Sequence, residues 1–147
     1  MLIRGENASE LQIERLAAQI AAATDYHHGS GSMEGTLVGL ANDFTGSNNM
    51  NLLVPAGQFG SRLSKEAASA RYIFTSMHKN FRKLFKKEDD LILEHHLSNG
   101  EKIEPKQFVP ILPMVLLNGA QGTGTGHACV ILNYNPEDVK QSVLDCV

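Results

Sequence analysis

Apolar positions in the first third of the chain fall at helical spacing. Ile13, Leu16, Ala17 and Ile20 recur at i, i+3, i+4 and i+7, which predicts a helix over 9–24, with Ser9 and Gln12 at the spacing of a capping box. The polar stretch Asp25-Tyr26-His27-His28-Gly29 interrupts it. A second helix is predicted from about Ser32, with Met33, Leu37, Leu40, Ala41 and Phe44 on one face, and Gly46-Ser47-Asn48-Asn49 ends that pattern as a turn cluster. Two short helices joined by a tight turn have the outline of a helix-turn-helix, an outline that many helical pairs share. Residues 51–54 read as a short strand. Gly57 and Gly60 then bracket Gln58-Phe59 in a loop that would suit a wing beside such a helix pair.

Farther along, the pattern shortens. Residues 71–75 are rich in β-branched and aromatic side chains, which predicts extended backbone. Ser76 is the expected N-cap of a helix to Lys86, with Met77, Phe81, Leu84 and Phe85 inward. Residues 91–97 and 102–103 flank Ser98-Asn99-Gly100-Glu101, where Asn-Gly signals a hairpin. Val115-Leu116-Leu117-Asn118 reads as a buried strand entering a glycine-rich run from Gly119 to Gly126, and a short helix is expected after Pro136. Neither an internal repeat nor a low-complexity linker is present, and the mixture predicts an α+β fold.

Composition narrows the class. A length of 147 residues fits one domain with a single core. No apolar stretch approaches the roughly 20 residues that span a bilayer; the longest candidate, 108–117, is broken by Pro110 and Pro113. The opening Met-Leu-Ile-Arg-Gly-Glu lacks the basic head and apolar core of a signal peptide, so a protein that is not secreted is expected. Cys129 and Cys146 are the only cysteines, which argues against a disulfide framework or a zinc site and suits a reducing cytoplasm.

Charge changes the picture more. Eight of the 13 basic residues (Arg62, Lys65, Arg71, Lys79, Arg82, Lys83, Lys86 and Lys87) lie between positions 62 and 87, against one acid, Glu66, so that window carries +7. Five basic and fifteen acidic residues leave the rest of the chain at −10. Such segregation is the footprint of a phosphate-binding surface or, equally, of a solvated basic helix face.

Three constellations bear on chemistry. The run 119–126 lacks the Gly-Lys-Ser/Thr ending of a phosphate loop, so a tight turn is the better reading than a nucleotide site. His27-His28 and His95-His96 have neither the helical i, i+4 spacing of a zinc motif nor, as neighbours, a common face. His95-His96 is read as an exposed strand pair, and His27-His28 as hydrogen-bond donors to a ligand at the turn before the second helix. Tyr72 is by default a half-buried core residue. Its setting beside Arg71, in the basic window and after a glycine loop, also fits a nucleophile: a phenol, with a pKa near 10, needs help to attack phosphorus, and a guanidinium can stabilise charge on phosphoryl oxygens.

Five ordered segments carry a resemblance: Tyr26-His27-His28-Gly29, Gly46-Ser47-Asn48-Asn49-Met50-Asn51-Leu52-Leu53, Gly57-Gln58-Phe59-Gly60-Ser61-Arg62, Ala68-Ser69-Ala70-Arg71-Tyr72-Ile73-Phe74 and Pro113-Met114-Val115-Leu116-Leu117-Asn118-Gly119-Ala120. Together they span the chain from about Leu11 onward, and it resembles the type IIA DNA topoisomerase family. The Ser-Asn-Asn and Tyr-His-His-Gly forms are closer to its eukaryotic, viral and large-phage branch than to bacterial gyrase A. The resemblance implies a catabolite-activator-like winged-helix DNA-binding domain over 9–90, followed over 91–147 by a hairpin, the glycine-rich loop and the start of the tower region. It implies Tyr72 as the nucleophile that forms a 5′-phosphotyrosyl link to double-stranded DNA, and Arg71 as transition-state stabiliser. His27, His28 and Arg62 would lie on the cleaved backbone, with Gln58 as a supporting loop contact. The family usually carries a wedging isoleucine in the glycine loop; Thr123 stands there, smaller and more polar.

The same resemblance implies Mg²⁺ and ATP for the full enzyme, both bound outside this chain, with no metal ligands within it. It further implies Toprim and ATPase domains in the same or another chain, a homodimer, and action in the cytoplasm or nucleus. The ends of the chain fall near domain edges, as expected of an excised piece or a split subunit. The rival reading is a non-enzymatic winged-helix DNA-binding protein such as a regulator.

Overall fold

A computed structural model describes residues 9–147, so the opening hexapeptide read above lies outside the described residues. Strand β1 (Leu11–Gln12) leads into α1 (Ile13–Thr24), followed by α2 (Ser30–Ala41), β2 (Leu53–Ala56), a 3-10 turn (Ala70–Tyr72) and β3 (Phe74–Met77). The three strands form one antiparallel sheet in the order β1-β3-β2, with Leu11 opposite Thr75 and Val54 opposite Ser76. Two helices on a small sheet, with the long 57–69 loop joining β2 to β3, make a winged helix.

The predicted periodicity finds its core. Ile13, Leu16 and Ala17 from α1 meet Leu37 and Ala41 from α2, and Leu53, Phe59 and Ile73 complete one buried cluster. Burial of each large member contributes about 1.5–3 kcal/mol, which is why short helices of middling propensity hold here. The α1 start differs from expectation. Ser9 and Gln12 form no capping box: Leu11 and Gln12 pair with β3 instead, and Gln12 takes the cap position without a side-chain cap bond. The ladder satisfies backbone groups that a cap would otherwise have served.

Beyond the sheet come α3 (Phe81–Leu84), a 3-10 turn (Glu88–Leu91), the hairpin β4 (His95–Ser98) and β5 (Glu101–Pro105), α4 (Met114–Leu117), the hairpin β6 (Ala120–Gly124) and β7 (His127–Ile131), and α5 (Pro136–Asp145). Asn99 at φ +50° and Gly100 at φ +85° make the tight turn that the Asn-Gly pair predicted. Asn135 caps α5 by accepting from Glu137 N at 2.9 Å.

Three expectations are corrected. Ser76 caps no helix, because β3 is paired on both edges and Thr75 Oγ1 donates to Val54 O at 2.8 Å; the helix starts later, at Phe81. The strand expected at 115–118 is the single helical turn α4, with Leu117 alone fully buried; a four-residue apolar run has no period that separates the two. The first arm of the Asn-Gly hairpin begins at His95, residues 88–91 being a 3-10 turn.

Candidate nucleic-acid interface and active site

Tyr72 ends the 3-10 turn that closes the wing, its N–H donating to Ser69 O at 2.9 Å. The next residue, Ile73, enters the core and accepts from Ile13 N at 3.0 Å. The chain thereby sends its isoleucine inward and its phenol outward: Ile73 is 1% exposed and Tyr72 72%. Arg71 is exposed on the same turn, and its carbonyl accepts from Gln12 Nε2 at 2.5 Å, which ties the turn to β1.

The wing is built on this turn. Phe59, buried in the core cluster, anchors it, and Gly57 lies against Ile73. Gln58 laces its two limbs: its side-chain and backbone oxygens both accept from Ala68 N, at 2.6 and 3.0 Å, and its Nε2 donates to Glu66 O at 3.1 Å. That amide is engaged within the wing, and Arg62 is exposed near the tip.

His27 and His28 are both exposed in the α1–α2 turn. His27 Nε2 stands 3.4 Å from Asp25 Oδ1, and Ser98 Oγ, from the β4–β5 hairpin, donates to Asp25 Oδ2 at 2.5 Å. The Ser98 hydroxyl, and after it His27, hold the Asp25 carboxyl below the usual carboxylate range. Asp25 sits at φ +51°, a left-handed conformation that lets it end α1 and face both partners. In the sequence Asp25 reads only as part of the interruption, and its place between Thr24 and the histidines is the signal that marks it. The His28 ring packs against Tyr26 at 5.2 Å between centroids.

Arg71 and Tyr72 share the 3-10 turn, and Gln58 is bonded to Ala68 two residues before that turn; His27 and His28 are placed apart from them. These lie past the far end of the 12-residue α1, and a helix of that length measures about 18 Å. Thr123 lies near the tip of the β6–β7 hairpin, paired with Ala128 and exposed. His95, expected to be exposed with His96, is half-buried, its Nδ1 2.7 Å from Ile103 O; His96 is exposed.

Of the eight cations at positions 62–87, Arg82 pairs with Asp90 at 3.6 Å. The other seven enter no ion pair among the described residues. Their charge is therefore available to an anionic polymer. No group of three or more His, Cys, Asp and Glu that could hold a metal ion occurs among the described residues. No helix there is long and apolar enough to cross a membrane.

Residues 2–147 match the family described as the A subunit of DNA gyrase/topoisomerase IV. The chain belongs to that family. Within it the chain is similar to DNA topoisomerase 2 of Arabidopsis thaliana, 46% identical over 136 residues that cover 91% of this chain and 9% of that protein. DNA topoisomerase 2 top-2 of Caenorhabditis elegans is 48% identical over the same length and shares. Both are eukaryotic, as the Tyr-His-His-Gly and Ser-Asn-Asn motifs suggested. Among solved structures, the Plasmodium falciparum topoisomerase II DNA-binding, cleavage and re-ligation domain superposes with a TM-score of 0.85 at 42% identity, covering 90% of this chain and 18% of that one. This chain thus spans 9% of the length of these curated relatives.

Proposed function

We propose that this chain is the DNA cleavage and religation module of a type II DNA topoisomerase, with Tyr72 as its nucleophile. The observation that carries the reading is the opposite exposure of Tyr72 and Ile73, which aims a phenol outward beside Arg71 from a turn that Gln12 ties to β1.

In the reaction, Tyr72 Oη loses its proton as it attacks a phosphodiester of duplex DNA. The P–O3′ bond breaks as the P–Oη bond forms, leaving a 5′-phosphotyrosyl link, and the departing 3′ oxygen takes up a proton. One phosphoester replaces another, so the reverse attack reseals the strand without an energy source. Arg71, always charged and planar, stabilises charge on the phosphoryl oxygens. Arg62 holds the cleaved strand from the wing, with His27 and His28 doing so from the other end of α1. Gln58 keeps the wing in shape, and Thr123 reaches the duplex from the hairpin.

The chain reads as a winged-helix domain to about residue 90 and the start of a tower region after it. Mg²⁺ and ATP serve the whole enzyme. When bound, Mg²⁺ would supply positive charge at the leaving oxygen, and in this reading Toprim and ATPase domains in the same or another chain hold the Mg²⁺ and the ATP. The whole enzyme is a homodimer acting in the nucleus or cytoplasm.

The test supplies this chain with the remaining domains of a topoisomerase 2, supercoiled DNA and Mg²⁺, then traps protein-linked DNA with denaturant. Wild type forms the link and Tyr72→Phe does not. Links formed equally by Tyr72→Phe overturn the assignment of the nucleophile, and none with either residue favours a DNA-binding regulator.

A further inference from the structure

The buried cluster that joins α1, α2 and the three-stranded sheet contains no residue beyond Ile73. The β6–β7 hairpin is tied to this unit by side-chain amides. Asn49 Nδ2 donates to Leu117 O at 2.9 Å and to Tyr134 O at 2.8 Å, bridging the two limbs at the base of the hairpin. Asn118 pairs with Met50 as a strand neighbour would: its Oδ1 accepts from Met50 N at 2.9 Å and its Nδ2 donates to Met50 O at 2.8 Å. Asn133 Nδ2 donates to Ser47 O at 2.6 Å. The 47–50 loop is in turn fixed to α2 by Asn48, whose Nδ2 donates to Gly39 O at 2.7 Å and Asn42 O at 2.9 Å.

A primary amide offers two N–H donors and a two-lone-pair acceptor on a short stem. Four of them form a continuous path from α2 through the loop to both limbs of the hairpin. The hairpin's own ladder, from Ala120 opposite Ile131 to Gly124 opposite His127, is complete without them. Their bonds therefore hold the hairpin's direction, not its existence.

We propose that Asn49 and Asn118 are positioning residues that set the direction of the β6–β7 hairpin relative to α2, and so fix where the hairpin tip meets bound DNA. The second half rests on the reading of Thr123 as a DNA contact; the first half does not.

The experiment uses the 147-residue chain with spin labels on native Cys129 of β7 and on Ser32→Cys of α2, in a Cys146→Ser background. The wild-type distance distribution is expected to be single and narrow. Asn49→Asp, which keeps the size and loses both donors, and Asn118→Leu, which keeps the shape and loses both bonds, broaden or displace it while far-ultraviolet circular dichroism is retained. Asn118→Asp, which gives up only the donor to Met50, is the milder variant should either of these unfold. A distribution unchanged in the folded variants overturns the proposal.

The DNA half is read by energy transfer across an end-labelled duplex. The clamp variants are expected to keep most of the affinity and to alter the bend of the bound duplex, a split that general loosening of the fold would not give. Thr123→Arg separates the two readings. If it changes neither affinity nor bend, the hairpin does not touch DNA and that reading fails, while a broadened label distribution still upholds the clamp. If it changes them and the clamp variants leave the bend as in wild type, positioning by Asn49 and Asn118 on DNA is refuted.

Discussion

Gly57 faces Ile73 so closely that a Cβ added to it would come within 2.9 Å of Ile73 Cγ2, and its φ of +123° is one that side-chain-bearing residues rarely adopt. The wing is thus docked on the residue that follows Tyr72. Gly57→Ala is expected to destabilise the chain by about 1–3 kcal/mol through backbone strain and this close approach. The midpoint of urea unfolding measures it; an unchanged midpoint would mean that the wing shifts without cost.

Tyr72 and Ile73 should behave as opposites under mutation. Ile73→Ala opens a cavity at a position 1% exposed and is expected to cost about 2–5 kcal/mol. Tyr72→Phe removes an exposed hydroxyl and should stay within about 0.5 kcal/mol of wild type. Thermal unfolding of the two variants checks the pair. Equal destabilisation would place Tyr72 in a packing role.

The seven cations of the 62–87 window that enter no ion pair among the described residues predict a strong salt dependence of duplex binding. Replacing Arg62, Lys79 or Lys83 singly by alanine should lower the slope of log K against log salt by about 1 for each phosphate no longer neutralised. Titrations at several salt concentrations read this slope. Slopes equal to wild type in all three variants would put the DNA surface elsewhere.

Asp25 gives a pH prediction. Its carboxyl is held below the usual range by Ser98 and then His27, so the folded state favours the ionised form. Its contribution to stability is therefore complete above the unfolded carboxylate pKa of about 3.9 and is lost as pH falls through the lower folded value. The tie between the histidine turn and the β4–β5 hairpin should therefore persist at neutral pH and loosen only in acid. Carboxyl chemical shifts of Asp25 followed against pH test this, and Ser98→Ala should raise the midpoint. A midpoint that Ser98→Ala leaves in place would contradict the assigned cause.

What the sequence made legible follows from the range of each interaction. The apolar stripe Ile13, Leu16, Ala17 names the inner face of α1 because helical spacing is local, and Asn99-Gly100 encodes its own turn. The competition at Ser76 was not local: strand pairing on both sides of β3 outweighs a favourable cap residue. Within the site, Arg71 and Tyr72 could be paired from adjacency alone. The work of Asn49 and Asn118 could not, since their partners are backbone groups 68 or more positions away in the chain. Ser98 lies 73 positions from Asp25, so the support behind His27 was equally out of reach.

If Tyr72 joins DNA through its phenolic oxygen, the link itself can be located on the protein. Trapped protein–DNA complex is digested with trypsin and nuclease, and the residue that retains a nucleotide is located by mass spectrometry. One modified peptide, 72–79, is expected, released by cleavage after Arg71 and carrying a 5′-linked nucleotide on Tyr72. A nucleotide found on Tyr26, Tyr134 or a serine, or one joined through its 3′ phosphate, would contradict it.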